Sequence, residues 1–441
     1  MNMNRHWPNV KLHDVAEIRV SNVDKKTHAC ETPVRLCNYM DVYSNDYIHT
    51  EIPFMEASAS SLEIERFSLI PGDVIITKDS ESPDDIGIPT VLIDEIEGLL
   101  CGYHLALIRP NKDEIDPIYL AKQLSTSRVA QYFALNSSGS TRFGLPIGAI
   151  EAIEIPKPPK PEQRKIAEIL STVDWAIEQT EALIAKQQRI KTGLMQDLLT
   201  RGIDEHGNLR SEETHEFKDS PLGRIPVDWN IKRISDCYAE PSRNGLYKPM
   251  EFYGPGWRMV HMPQMFRGLI VDVANAVRVH VDNSEIERFG LETHDLQIAR
   301  RSLVLEGAGR CALVPEIGEP TTFESSIIRI RLNKNILNPV FANFFLNSEA
   351  GYRVRLPFIR QVAVSGVSGE DTAQFVVPVP ELDEQRRIVG YVENANVAIE
   401  KTIAMTAKLR RQKDSLMQDL LTGKKRVTPL LETEAPAVQT P

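Results

Sequence analysis

The sequence of 441 residues has few cysteines and lacks the marks of several protein classes. Its five cysteines are scattered, odd in number and never spaced as Cys-x-x-Cys, which argues against a zinc module or a disulfide framework. No apolar run approaches the roughly 20 residues that span a bilayer. Residues 1–7 contain no apolar segment of a signal peptide. We therefore expect a cytoplasmic protein with no membrane partner.

The chain also lacks the motifs of common enzymes. It has no GxxxxGK[ST] phosphate loop, no HExxH, no Cys/His metal spacing and no Pro-Pro-aromatic tetrapeptide of an amino-methyltransferase. Residues 307–309 form a lone GxG, which favours a tight turn over a nucleotide site. Asp84, Glu95 and Glu97 resemble a nuclease carboxylate cluster only loosely, because no lysine stands in an ExK position. We expect no catalytic residue and no metal site.

Charge is unevenly distributed along the chain. Residues 1–155 hold 13 Lys+Arg against 23 Asp+Glu and so account for the whole formal net charge of −10. Residues 226–380 hold 17 of each, and 14 of these cations are arginine. Net charge therefore does not identify a partner, and local clusters of basic residues must be considered instead.

The sequence contains an internal repeat at one constant offset, the one that separates Trp7 from Trp229. The same offset, called the repeat offset below, joins PEQRKI at 161–166 to DEQRRI at 383–388, LMQDLLT at 194–200 to 416–422, and EIERF at 63–67 to 285–289. Chance does not preserve one offset at so many separate points. We interpret the chain as a tandem duplication of a unit of about 222 residues.

Residues 161–200 and 383–422 each predict one long helix. Pro161 stands near the first helix start, where a missing N–H does no harm. Apolar residues recur at spacings near three and four from Ile166 to Leu198, which is typical of a coiled-coil seam. At about 1.5 Å per residue, such a helix spans roughly 60 Å. A seam of that length needs a partner, and we expect the other copy to supply it.

The segments before the helices differ from them and from each other. We expect an α+β protein with two mixed α/β domains, separated by two long antiparallel coiled-coil helices in a pseudo-twofold repeat. Strands are predicted at 73–77, 105–109, 302–305 and 326–331. The predicted parts are a first α/β domain at 1–155, a central long spacer helix at 156–203, a linker at 204–227, a second α/β domain at 228–380, a C-terminal long spacer helix at 381–423 and a disordered tail at 424–441.

These features resemble the specificity (HsdS) subunit of type I restriction–modification systems. The Glu-Gln-Arg helix starts, the Leu-Leu helix ends, the linker at 217–229 and the GDVI of 72–75 carry the resemblance, which covers residues 6–423. It implies that each target-recognition domain reads one half of a split site in double-stranded DNA, while the helices set the spacing. It also implies two methyltransferase (HsdM) subunits and restriction/translocase (HsdR) subunits. S-adenosylmethionine, ATP and Mg would then be bound by these partners, and this chain would bind no cofactor and catalyse nothing.

Candidate DNA contacts are basic, small polar and amide side chains in predicted loops, because these groups contact phosphates and base edges. In the first domain they are Lys25, Lys26, Asn38, Tyr39, Lys78, Asp79, Ser80, Ser138, Ser140, Thr141 and Arg142. In the second they are Arg243, Asn244, Tyr247, Lys248, His261, Gln264, Arg310, Arg360, Gln361 and Ser365. We take 306–310 as the counterpart of the Lys78 loop. Alternatives remain open, including a solvated turn at 77–80, a buried strand end at 38–39 and mere exposure of 300–301.

The near-identical helix ends suggest two equal docking sites for the methyltransferase, although an ordinary dimerisation seam is the alternative. The candidates are Glu162, Gln163, Arg164, Leu194, Met195, Leu198, Leu199, Glu384, Gln385, Arg386, Leu416, Met417, Leu420 and Leu421. We expect the acids of the first domain, among them Glu81, Asp84 and Asp85, to lie away from the DNA. Two other functions are weighed: a coiled-coil scaffold whose domains bind proteins, and a self-sufficient nuclease or methyltransferase, which the missing motifs disfavour.

Overall fold

The structure is a computed structural model that describes residues 7–361 and 364–434. The chain divides into two compact units. Unit 1 is Met1–Glu181 with Ala404–Pro441, and unit 2 is Ala182–Ile403. The two predicted long helices are present, at Lys160–Thr200 and Leu382–Leu420. Each long helix places its first part in one unit and its last part in the other, so neither unit is a simple half of the sequence.

The first head, residues 7–156 of unit 1, is mixed α/β. Its sheets are, in strand order, Ala16–Val20, Leu105–Pro110, Val74–Thr77, Pro89–Leu92 and Tyr47–Ile48; Met55–Ala59, Thr32–Cys37 and Leu99–Cys101; Asn9–Lys11 with Glu154–Pro156; and Asp79–Ser80 with Phe143–Gly144. Its helices are Leu12–Val15, Tyr39–Tyr43, Ser61–Phe67, Pro117–Leu124, Ser127–Asn136 and Ile147–Ala152, with a 3₁₀ turn at Pro83–Asp85.

The five-stranded sheet of the first head is buried on both faces. Side chains alternate between the faces of a strand, so Val74 and Ile76 join one apolar cluster and Ile75 joins another. The first cluster also contains Leu420 and Leu421 from the end of the second long helix. Residues from opposite ends of the chain therefore complete the core of unit 1.

The second head, residues 228–380 of unit 2, has a similar composition of elements. Its sheets are Tyr238–Asn244, Ile327–Leu332, Leu296–Ala299 and Cys311–Leu313; Val277–Val279, Tyr253–Val260 and Thr321–Phe323; Arg301–Ser302, Ser365–Gly366 and Arg360–Gln361; and Asn230–Arg233 with Val376–Val379. A hairpin, Phe217–Ser220 with Gly223–Pro226, precedes it. Its helices are Met262–Met265, Asn283–Phe289, Pro339–Asn347, Glu349–Arg355 and Gly369–Ala373, and 3₁₀ turns lie at Ile234–Cys237, Met250–Phe252, Val273–Asn275, Leu305–Gly307 and Leu356–Phe358.

Elements of the two heads follow each other at the repeat offset. This holds for the starts of Val74–Thr77 and Leu296–Ala299, Leu105–Pro110 and Ile327–Leu332, Ser61–Phe67 and Asn283–Phe289, Asp79–Ser80 and Arg301–Ser302, and Phe143–Gly144 and Ser365–Gly366. The heads therefore keep one backbone plan although few of their side chains agree.

Two predictions about elements are wrong. The strand predicted at 302–305 lies earlier, at Leu296–Ala299, and Leu303 and Val304 are exposed instead. Part of the predicted disordered tail is ordered, because Val427 is buried in the core of unit 1 and a helix follows at Thr428–Glu434. Residues 435–441 lie outside the described residues. No helix of the described ranges is long and apolar enough to cross a membrane.

Candidate nucleic-acid interface

Two predicted loops of the first head lie side by side. The strand Asp79–Ser80 pairs with Phe143–Gly144, and the amide of Leu145 donates to the carbonyl of Lys78 at 2.9 Å. This pairing brings the segment after the central strand together with the polar loop at 138–142. The structure thus joins the two segments that the sequence singled out separately.

The charges at this junction neutralise each other. Asp79 contacts the Lys78 ammonium at 3.0 Å and His104 Nδ1 at 2.7 Å. Burial tends to raise the pKa of Asp79, but hydrogen bonds from His104 and Lys78 outweigh it and lower that pKa below its ordinary value. Asp79 is therefore an ionised acceptor held between the Lys78 and His104 side chains. His104, with a positive φ of 73°, is a residue that sequence reasoning missed.

Other candidates of the first head divide by exposure. Lys25, Lys26, Ser138, Ser140, Thr141 and Arg142 are exposed. Ser80 is buried, and Tyr39 stacks on Tyr43 with ring centroids 5.6 Å apart. Asn38 is half-buried at the N-cap of the short helix Tyr39–Tyr43, not at a buried strand end, and its DNA contact stays a prediction. Ser80 is thus structural, and the exposed set at 138–142 is the accessible part of the interface.

The second head places arginines at the equivalent junction. By the repeat offset, Lys78 and Asp79 correspond to Arg300 and Arg301, so the counterpart proposed at 306–310 is wrong. Arg301 lies on a strand that pairs with Ser365–Gly366, which in turn pairs with Arg360–Gln361. By the same offset, the loop of Arg360 corresponds to the first head's polar loop at 138–142. Sequence reasoning passed over Arg300 and Arg301 because the strand before them was placed too late.

This arginine cluster borders a cleft of about 400 Å³. The Arg360 side chain is 76% exposed and contacts the Asp371 carboxylate at 3.2 Å. Arg301 is exposed and has no ion pair or side-chain hydrogen bond within the described ranges. Arg300 makes one long hydrogen bond, 3.4 Å, to the carbonyl of Ser325. Positive charge with so little internal compensation suits phosphate or guanine contacts.

Several candidates of the second head are engaged within the protein. Asn244, Tyr247 and Gln361 are exposed. The others have internal partners or are buried: Lys248 pairs with Glu285 at 2.7 Å, Arg243 donates to Arg288 O, Arg310 donates to Gly268 O and lies over Phe266, His261 contacts Tyr253 and Met259 O, and Gln264 and Ser365 are buried. Burial contradicts a DNA contact by Gln264 and Ser365.

The predicted docking surfaces on the helices are mostly internal. Eight of the candidates are buried: Glu162, Gln163, Leu198, Leu199, Glu384, Gln385, Leu420 and Leu421. Four more pack against the same cores: Leu194, Met195, Leu416 and Met417. A docked partner needs accessible side chains, so burial contradicts this role for the eight. Arg164 and Arg386 are exposed, and their docking role stays a prediction.

The buried helix starts fasten each head to its helix. Gln163 and Gln385 each make three hydrogen bonds to the backbone before their helix. The partners are Asp116 N, Glu114 O and Pro158 O for Gln163, and Asn338 N, Ile336 O and Pro380 O for Gln385, at 2.7–3.2 Å. All three pairs of partners are related by the repeat offset. The repeated motif therefore fixes the head, which explains its identity in the two copies without a partner.

The neighbouring glutamates add a second shared attachment. Arg426 Nε donates to Glu162 at 2.8 Å, and the Arg426 guanidinium lies over the Trp7 ring. In unit 2, Glu384 accepts from Trp229 Nε1 at 3.1 Å and pairs with Arg210 at 3.2 Å. Burial raises the pKa of Glu384 despite these donors.

No group of three or more metal-ligating side chains occurs within the described ranges. Glu81 is exposed and follows directly on the strand Asp79–Ser80, with Asp84 and Asp85 in the next turn. Their predicted position away from DNA stays a prediction.

The chain is similar to known proteins of one kind. Residues 4–187 match the family described as "Type I restriction modification DNA specificity domain". The chain is 23% identical to the type I restriction enzyme MjaVIII specificity subunit of Methanocaldococcus jannaschii, over 96% of this chain and 93% of that one. It is 26% identical to the EcoKI specificity subunit of Escherichia coli K12, over 75% and 68%. A solved type I S subunit from M. genitalium has the same fold, with a TM-score of 0.54, 14% identity and 96% and 97% coverage. Over most of its length the chain is thus similar to type I restriction–modification specificity (HsdS) subunits, and residues 4–187 match their DNA specificity domain.

Proposed function

We propose that this chain is the DNA-sequence-specificity subunit of a type I restriction–modification complex. Each head reads one half of a bipartite site. The observation that carries the proposal is the repeated junction of two short strands, which presents Lys78, Asp79 and Arg142 in one head and Arg300, Arg301 and Arg360 in the other. One frame with different side chains suits two readers of different sequences.

The long helices set the distance between the half-sites in this proposal. Contacts within unit 1 support an antiparallel pairing: Asp174 meets Lys413 and Glu181 meets Arg410, so one number rises as the other falls. Together with the repeat offset, this pairing supports the proposal that the two copies of the unit read the two parts of one DNA site.

Catalysis and cofactors reside in the partners. Two methyltransferase subunits bring S-adenosylmethionine, and restriction subunits use ATP and Mg. This chain binds none of these ligands and works in the cytoplasm. The proposal is tested by mapping methylated adenine in the host with and without the gene. One split motif should lose methylation on deletion. Replacing residues 1–155 by another head should change one half of the motif, and a change in both halves would contradict the two-reader proposal.

Arg301 provides a sharper test within the second head. We expect Arg301→Ala to weaken DNA binding of the complex by about tenfold to a hundredfold, because a bidentate arginine contact discriminates by about 1–3 kcal/mol. Arg353→Ala is the matched control, since that exposed arginine pairs with Glu349 on a helix. Binding is measured by titration at several salt concentrations. Equal losses for both variants would exclude Arg301 as a specific contact.

A further inference from the structure

Four alternating charges attach the first head to the helices within unit 1. Asp174 belongs to the first long helix, Lys413 to the second, and Asp46 and Lys122 to the head. Lys122 Nζ lies 2.7 Å from Asp174 and 2.9 Å from Asp46, and Lys413 Nζ lies 2.7 Å and 2.8 Å from the same two carboxylates. The Tyr47 hydroxyl donates to Asp174 at 2.7 Å. We call Asp46, Lys122, Asp174 and Lys413 the charge ring.

The charge ring is balanced, and two of its four groups are withdrawn from water. Two carboxylates face two ammonium groups, and the side chains of Lys122 and Asp174 are each 5% exposed. A buried ion that loses its partner keeps the cost of desolvation without the attraction that offsets it. Lys122 is therefore well tolerated in the interior only where the helix supplies a carboxylate such as Asp174.

Unit 2 makes the same attachment without a buried ion pair. By the repeat offset, Asp46, Lys122 and Asp174 correspond to Gly268, Phe344 and Asn396. Phe344 is buried in the cluster that includes Val392 of the second long helix. Asn396 has nearly the shape of an aspartate but carries no charge.

Of the four residues of the charge ring, only Lys413 has an identical equivalent in unit 2. Lys191 is the equivalent of Lys413, and it has no carboxylate within 4 Å in the described ranges. The helices therefore supply a lysine to the head in both units, Lys413 in unit 1 and Lys191 in unit 2. They supply the carboxylate of the ring, Asp174, only in unit 1.

We propose that the charge ring is a position code that confines the first head to the end of the helices carrying Asp174. At the other position, the first head would bring Lys122 against Asn396 and Lys191. Two ammonium groups, of which Lys122 is buried, would then share the single carboxylate of Asp46, which leaves an excess of positive charge. The second head, with Phe344, avoids this excess at its own position. The two heads are thus not interchangeable.

The test exchanges residues 6–155 with 228–377 in the full-length chain and measures thermal unfolding. We expect the exchanged chain to melt at least about 5 °C lower than the parent, because the first head then has an unmatched buried ammonium. Adding Asp174→Asn with Asn396→Asp should restore most of the loss, since Lys191 then completes a balanced ring. Both substitutions change charge with almost no change of shape.

A matched control adds the same charge at the neighbouring position of the helix. It carries Asp174→Asn with Val397→Asp in the exchanged chain, since Val397 is the next residue of the helix and is 46% exposed. We expect this control to restore little, because an exposed carboxylate does not compensate a buried ammonium.

The outcomes separate the explanations. A parent-like exchanged chain, equal rescue by Val397→Asp, or no rescue by Asn396→Asp would each overturn the position code. In the natural order, Asp174→Asn should lower the melting temperature, and Lys122→Met in the same chain should recover part of it. A melting temperature unchanged by Asp174→Asn would also overturn it. None of these measurements involves DNA, so the outcome is independent of the proposed recognition function.

Discussion

The interiors of the two heads differ far more than their backbones. Between its sheets the first head buries Ile75 and Leu107 in an apolar cluster. The second head buries Gln297 and Arg329 at the equivalent positions. Arg329 pairs with Glu240 at 3.1 Å, whereas both amide atoms of Gln297 have no protein partner within the described ranges. The strand register survives this exchange of apolar for polar groups, so other residues must fix it.

The residues that both heads share form ion pairs within the head or hydrogen bonds that join the head to its long helix. Asp73 pairs with Arg109 at 2.7 Å in the first head, and Asp295 pairs with Arg331 at 2.8 Å in the second, again related by the repeat offset. The helix-start glutamines form a second shared set. The comparison teaches that a few hydrogen-bonded attachments keep the frame, which leaves the rest of each head free to differ.

The largest expected effect comes from exchanging apolar and polar residues at the equivalent buried positions of the two heads. We expect Ile75→Gln to destabilise the protein by about 3–4 kcal/mol, because it removes apolar burial and adds an amide without partners. The reciprocal Gln297→Leu should be neutral or stabilising by about 1 kcal/mol. Urea unfolding of both full-length variants measures the difference. A clear destabilisation by Gln297→Leu would show that Gln297 has partners in solution.

A smaller effect distinguishes the two Glu–Arg attachments. We expect Arg210→Met to cost about 2–3 kcal/mol, because it leaves the buried Glu384 without its counter-ion. Arg426→Met should cost less, about 1 kcal/mol: Glu162 is also buried, but more than a third of the Arg426 side chain is exposed, so its removal opens Glu162 to water. The same unfolding measurement applies. Equal costs would contradict the difference in burial.

The smallest effect concerns acid and the charge ring. Burial tends to raise the pKa of Asp46, but Lys122 and Lys413 outweigh it and lower that pKa to about 2. The folded pKa lies below the ordinary value, so the stabilisation is present above about pH 4 and is lost as pH falls toward 2. Because half of the Asp46 side chain is exposed, we expect no more than about 1 kcal/mol.

The acid effect is measured as the difference between the parent and Asp46→Asn. Hydrogen exchange near pH 5 and near pH 3 should show loss of protection in unit 1 of the parent. Asp46→Asn should remove that part of the pH dependence while leaving unit 2 unchanged, where Gly268 stands at the equivalent position. An identical pH profile in both proteins would refute the assignment.

The long helices and the repeat offset could be predicted from the sequence. The helices follow from the local periodicity of apolar residues, and the offset follows from identical residues in the two copies. The docking role predicted for the helix ends was wrong, because the sequence around Leu198 and Leu420 is the same whether these side chains face a partner or pack in a core. The late placement of the strand before Arg301 had a physical cause: Leu303 and Val304 have strand propensity, yet both are exposed. Charge pairs such as Asp174 with Lys122 depend on tertiary contacts that no spacing reveals.

The division of the long helices between units also has a consequence for synthesis on the ribosome. Unit 2 is continuous, from Ala182 to Ile403, and every residue of it has been made when position 403 is reached. Unit 1 is interrupted, and Leu420, Leu421 and Val427 of its core are added only afterwards. At about 5–20 residues per second, the first-made head waits roughly 10–50 s for these side chains. The head that is translated first is thus the last to be completed.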